Sequence, residues 1–366
     1  MAWCNHGRWM RTRRPRGSAF GWILASFTLL MLTSFSDDAS FTVFNLATVN
    51  TKTHKFAGAA FDGEYVYFVP FDWDVATETS RYDTKSAFGA TASWSIFDLG
   101  PITGEGLDSR GYIGAVFDGR YLYYMPNCIF GYWRGNALRF DTQGNFASAS
   151  DWSLFDTQTL DKDAAGFRGG TFDGRYVYFV PWGDVSSGTP IERPLATRYD
   201  THADFGTPDG WSTFDLSTLS DTNVYAGAAF DGTYVYLVSA DARGRLTRFD
   251  SGKAFDSSDS WAKFDMGSAV EGVNDSFNGG VFDGRYLYIV PHSAVPVRYD
   301  TTAALDEKSA YETMNLAPLD AAAGNFAGGV FDGRYVYFVP EASNHVARFD
   351  ARADSALPPN NDSSFY

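Results

Sequence analysis

An all-β, six-bladed β-propeller of four-stranded antiparallel blades is the fold class this sequence predicts, on two observations. The first is a repeat of roughly 50 residues, a period that marks propellers and arrays because one unit of short strands cannot bury its own faces. Each repeat runs from an aromatic residue through small residues to Phe-Asp-Gly, then a Tyr-rich apolar run, then Arg-aromatic-Asp. Phe-Asp-Gly supplies Asp62, Asp118, Asp173, Asp231, Asp283 and Asp332, and the later unit ends at Asp83, Asp141, Asp200, Asp250, Asp300 and Asp350. The second is an orphan outer-strand sequence, Phe41-Thr-Val-Phe44-Asn45-Leu46, ahead of the first repeat, where the last repeat lacks one.

The chain opens with Arg8, Arg11, Arg13, Arg14 and Arg16, followed by an apolar stretch from Ala19 to Leu32 and by Ser34 and Ser36. Basic, apolar and small-residue segments in that order predict a signal peptide over 1–36 and a secreted, periplasmic or cell-surface protein. The apolar stretch falls short of the roughly 20 residues that span a bilayer, so no transmembrane span is expected in the mature chain.

Strand A begins with Phe56, Tyr112, Phe167, Tyr225, Phe277 and Phe326, and has Gly at its third position every time and Gly or Ala at its fourth. Small residues in a strand mark close approach of another backbone, which the crowded axis of a propeller supplies. Asp-Gly then predicts a type I′ hairpin. Strand B starts at Tyr65, Tyr121, Tyr176, Tyr234, Tyr286 and Tyr335, and stops at Pro in every unit but the fourth, which has Ser239. Strand C carries Arg-aromatic-Asp. Its arginines, Arg81, Arg139, Arg198, Arg248, Arg298 and Arg348, recur in every unit and read as scaffold, expected to pair with nearby Asp side chains. Strand D carries Trp-x-x-Phe-Asp from Trp94, Trp152, Trp211 and Trp261, with a degenerate copy from Tyr311. Phe41 to Leu46 is expected to close the ring by pairing with the last strand C, around Ala347 to Phe349, which abolishes an exposed edge. The propeller is then 37–350, and 351–366 is a disordered tail.

The blade formula resembles β-propeller repeat proteins. The pairs Gly169-Gly170, Gly279-Gly280 and Gly328-Gly329 are similar to the Gly-Gly of kelch repeats, although here they precede the Phe-Asp-Gly turn. The aromatic-Asp-Gly-x-Tyr-x-Tyr to Arg-Tyr-Asp rhythm looks more like that of olfactomedin-type or other extracellular propellers, although six units and no disulfide pair depart from olfactomedin.

A formal charge of −15, spread along the repeats, would repel a phosphate backbone and argues against nucleic-acid binding. Cys4 and Cys128 are the only cysteines, and Cys4 lies in the expected leader, so no internal disulfide is expected. The five histidines lack ligand spacing, and no nucleophile elbow, phosphate loop or dinucleotide fingerprint occurs.

The A–B turns are uniform while the B–C loops vary greatly in length, and variable loops on a regular scaffold are where binding residues sit. The B–C face is therefore the candidate functional face. Its candidates are Asp72, Trp73 and Asp74 in blade one, Tyr132, Trp133 and Arg134 in blade two, and Trp182 and Asp184 in blade three. His292 in blade five, and Glu341, Asn344 and His345 in blade six, complete the loops. Arg168, at the second position of strand A, stands where three other blades have Ala. Aromatics beside carboxylates and amides suit a glycan, and the same residues suit a protein ligand. No cofactor is expected, although Asp72 and Asp74 leave calcium open. A non-enzymatic binding propeller, a glycoside hydrolase or lyase drawing Asp and Glu from several blades, and a structural interaction scaffold all remain compatible with these residues.

Overall fold

The structure is a computed structural model that describes residues 44–52, 56–70, 77–102, 110–182, 191–219, 224–273, 276–340 and 347–351. The expected leader, 1–36, and almost all of the tail lie outside these residues. So do 41–43 of the closing segment.

Strand A spans Phe56–Phe61, Tyr112–Phe117, Phe167–Phe172, Tyr225–Phe230, Phe277–Phe282 and Phe326–Phe331. Strand B spans Tyr65–Pro70, Tyr121–Pro126, Tyr176–Pro181, Tyr234–Ser239, Tyr286–Pro291 and Tyr335–Pro340. Strand C spans Glu78–Asp83, Asn136–Asp141, Leu195–Asp200, Arg245–Asp250, Val297–Asp300 and Ala347–Asp350, and strand D spans Trp94–Asp98, Trp152–Asp156, Trp211–Asp215, Trp261–Asp265 and Tyr311–Thr313. The first five blades are four-stranded antiparallel meanders, and the described part of the sixth holds A, B and C. The chain is a six-bladed β-propeller. Strand B ends at the expected prolines, and in blade four the Ser239 hydroxyl accepts the Arg245 backbone N–H at 2.8 Å, a bond Pro could not make.

From blade one to blade six, each strand A lies beside the strand A of the next blade. Glycine at the third position makes this possible: a Cβ at Gly58 would stand 2.6 Å from the Gly114 Cα, and one at Gly227 would stand 3.1 Å from the Gly279 Cα. Apolar side chains of strands B and C fill the space between neighbouring blades, so the core is a series of inter-blade clusters. Strand D links the blades at the rim. Phe155 stacks on Trp211 at 4.7 Å, Phe214 on Trp261 at 4.8 Å and Phe264 on Tyr311 at 4.7 Å.

Phe44 repeats this pattern, lying flat on Trp94 of blade one at 4.8 Å and 4°. Asn45 then accepts the Ala47 N–H and caps the turn Leu46–Thr48, as Asp156 and Asp215 cap the turns after strands D of blades two and three. Phe44 and Asn45 thus hold the places of the Phe-Asp that ends a strand D.

Two local expectations are corrected. The Asp-Gly turn is not type I′: Gly63 has φ 96°, whereas Phe130 and Asn325 are the only non-glycine residues with positive φ among those described. The tight turn centres one residue later, on Gly63-Glu64, and the Asp62 carboxylate accepts the N–H groups of Glu64 and Tyr65 and the hydroxyl of Tyr67. All six aspartates repeat this, as Asp173 does with Arg175, Tyr176 and Tyr178. The strand C arginines serve the scaffold, but against rings rather than Asp, and Arg298 adds an ion pair with Glu312 of its own blade. The Arg198 Cζ lies 3.9 Å from the Tyr176 ring centre in its own blade and 4.3 Å from that of Phe255 in the next, and Arg139 sits likewise between Tyr121 and Phe205. The aspartates that end strand C pair instead with the Arg after Asp-Gly, as in Arg120–Asp141, Arg175–Asp200 and Arg334–Asp350.

Candidate functional site

The B–C loop of blade two is an aromatic hairpin, with short strands Cys128–Ile129 and Tyr132–Trp133 paired across Phe130-Gly131. Both turn residues take positive φ, 51° for Phe130 and 81° for Gly131, the pattern of a type I′ turn. Asn and Gly favour that conformation; a phenylalanine there carries strain of about 1–3 kcal/mol. The Phe130 ring is nonetheless 55% exposed and Tyr132 is 47% exposed. The Arg110 guanidinium, from the loop that enters blade two, lies 5.3 Å from the centre of the Phe130 ring.

The other side of the hairpin is anchored. Cys128 and Trp133 are buried with Ala165 and Ile191, and Trp182 packs against that cluster. Burial pushes the Cys128 thiol pKa up, so it rests as a small apolar side chain. Gly166 makes room: its φ is 65°, and a Cβ there would stand 2.8 Å from the Trp133 ring. Asn127, also buried, donates its amide to the Phe167 carbonyl at 2.9 Å, and the Arg134 backbone accepts the Gly166 N–H at 2.9 Å.

Blade three contributes the next part of the rim. A bulge in strand A sets Arg168 and Gly169 between the paired positions Phe167 and Gly170, with Gly169 at φ 80°. From there the Arg168 guanidinium covers the Trp182 ring at 4.2 Å. Trp182 is fixed in turn by its N–H to the Gly166 carbonyl, at 2.7 Å, and by a bridge to Val224. Below, Arg193 pairs with Asp161 and with the buried Asp163, and Lys162 joins Asp163 to Glu192. This charged cluster ties the loop before blade three to the B–C loop of that blade.

Tyr132, Trp133, Arg134, Arg168 and Trp182 are thus brought to one sector of the rim, with Trp133 turned inward as a brace. His292 stands exposed on blade five, and neither hydrogen bond nor ring contact joins it to that sector. Asp72, Trp73, Asp74, Asp184, Glu341, Asn344 and His345 lie outside the described residues. Phe130 and Arg110 are missed by loop length alone; the run Ile129-Phe-Gly-Tyr-Trp133, two apolar pairs flanking a glycine, is the signal that points to them. Among the described residues no group of three or more His, Cys, Asp or Glu could hold a metal ion, and no helix is long and apolar enough to cross a membrane.

Compared with protein-family models and with curated proteins, the chain matches none. Among solved structures it is similar to Raptor from Chaetomium thermophilum, with a TM-score of 0.52 and 12% identity over 82% of this chain and 24% of that one. It also resembles the computationally designed protein Ika8, with a TM-score of 0.48 and 10% identity over 81% and 70% of the two chains. This chain spans about a quarter of the Raptor chain it matches. At 12% identity the likeness to Raptor speaks of fold alone.

Proposed function

We propose that the protein is a non-enzymatic binding propeller, exported to a secreted, periplasmic or cell-surface location, that takes a glycan or protein ligand on its B–C loop face. The sector between blades two and three is the docking site. One observation carries the reading: this rim displays exposed aromatic rings beside arginines on loops braced from below, while the residues common to every blade are consumed by the scaffold. Preorganised aromatic and guanidinium groups are what binding surfaces favour, because little conformational entropy is lost when the ligand arrives. The acidic charge of the chain favours neutral or basic ligands.

A glycan array and a panel of basic and neutral proteins, each titrated against the full chain with and without calcium, test the proposal. Saturable binding weakened at least tenfold by Tyr132→Ala is the expected result. Binding that ignores this variant, or release of sugar fragments from the array, overturns it. For export, the N-terminus of the protein recovered from its host should lie near Asp37; an intact Met1 on soluble cytoplasmic protein would end that part of the proposal.

A further inference from the structure

We infer that the tip of the blade two hairpin, Phe130 with Tyr132, is a stacking platform for a neutral sugar ring, with the Arg110 guanidinium beside it as donor to sugar hydroxyls. This rests on the binding reading above and narrows it to one ligand class and one place. Three observations meet here. Phe130 is exposed at a backbone angle of φ 51° that phenylalanine does not favour, so it serves neither the core nor the turn. Tyr132, next to it across Gly131, is exposed too, on a hairpin whose inner residues Cys128 and Trp133 are buried. Arg110 reaches this tip from the loop that enters blade two, with its guanidinium 5.3 Å from the Phe130 ring centre.

Size selects the ligand. Two aromatic side chains of 150–250 Å² each, about half exposed, offer roughly 200 Å² together. A stable protein interface needs about 800 Å² on each partner, whereas one face of a pyranose covers a single ring. Charge agrees: the chain carries −15, which disfavours a polyanionic glycan and leaves a neutral one unopposed. A sugar face is apolar in its C–H groups and ringed by hydroxyls, so it matches an aromatic face flanked by a guanidinium.

Affinity electrophoresis of the full chain in gels containing hydroxyethylcellulose, laminarin, galactomannan or arabinoxylan tests the inference. At least one of these should retard the wild type. Phe130→Asn suits the turn better than Phe, so it should fold with an unchanged or raised Tm and yet weaken retardation at least tenfold. Tyr132→Ala should weaken it similarly, and Leu319→Ala, an exposed apolar residue between blades five and six, should leave it intact. Retardation by a polysaccharide that survives both tip variants overturns the platform while the binding reading stands. A wild type that none of the four gels retards overturns the neutral-sugar class, and the titrations above then decide the binding reading separately. Unfolding of Phe130→Asn would show that the ring serves the fold and would also overturn the inference.

Discussion

Arg198 lies between the rings of Tyr176 and Phe255, with Phe249 farther off, so its removal strips three cation–π contacts and opens a gap between blades three and four. Arg198→Ala should lower stability by about 1–3 kcal/mol in urea unfolding, and Arg198→Lys should recover only part, since an ammonium does not stack as a planar guanidinium does. Titration follows from the same residue scale. Hydrogen bonds from Arg120 and Arg175 hold the carboxyls of Asp141 and Asp200 below the usual range. A depressed folded-state pKa contributes stability that is present above the unfolded value, about 3.9, and is lost as pH falls through the folded value. Both arginines are half exposed, so each pair contributes little and its effect shows mainly in the slope. Thermal melts should therefore be flat from pH 7 to about pH 5 and fall below about pH 4, and the Asp141→Asn, Asp200→Asn double variant should fall less steeply. At the alkaline end, burial pushes Tyr199 and Tyr299 up to about 12. Their contribution is whole below about pH 10 and is lost as pH rises towards that value.

Strand order, strand limits and the small residues of strand A were legible in the sequence because each repeats, and repetition isolates what every blade requires. The prolines that end strand B and the third-position glycines had one physical reading each, and the chain follows both. The Asp-Gly turn was misread for a definable reason. Its aspartate has a carboxylate that replaces a backbone acceptor, which shifts the tight turn onto Gly63-Glu64, and no backbone propensity encodes that exchange. The arginine partners were misread because charge suggested Asp, whereas the Tyr that opens strand B puts a ring under each guanidinium and, at Arg81, Arg139, Arg198 and Arg298, the next blade adds a second. The site was only partly legible: loop length exposed the B–C face and its tryptophans, but which rings turn inward depends on packing against Ala165 and Ile191, residues of a different loop and a different blade. Gly166 controls that packing. Gly166→Ala would force a Cβ against the Trp133 ring at a φ of 65°, so it should expel the hairpin from its seat. The expected outcome is a loss of about 1–3 kcal/mol together with a red shift and increased quenching of tryptophan fluorescence. Unchanged emission would mean that Trp133 does not brace the loop.

At the scale of the whole ring, five blade junctions are packed alike and the sixth is not. The fifth residue of strand B faces the following blade and is fully buried in Val69, Met125, Val180, Val238 and Val290, whereas its counterpart in blade six, Val339, is 44% exposed. Phe61 on the facing side of blade one is exposed as well, and a Cβ at Gly328 would meet nothing within 4 Å, unlike those at Gly58 or Gly227. The junction of blades six and one is thus the least buried seam of the propeller, and apolar burial is the main stabilising term that it lacks. At this end of the ring the Phe44 ring lies on Trp94, where the other blades receive a strand D phenylalanine of the preceding blade. Opening of the molecule should therefore begin at this seam, with amides of strands A and B in blade six and of strand A in blade one exchanging faster than their counterparts in blades three and four. Phe44→Ala should cost about 1–3 kcal/mol, less than a fully buried phenylalanine, and should speed exchange in blades one and six selectively. Deleting residues 37–47 should do the same more strongly and lower the Tm. If blades one and six instead exchange at the rate of blades three and four, and the deletion leaves the Tm unchanged, the N-terminal segment does not hold the ring together and closure must come from blade six against blade one directly.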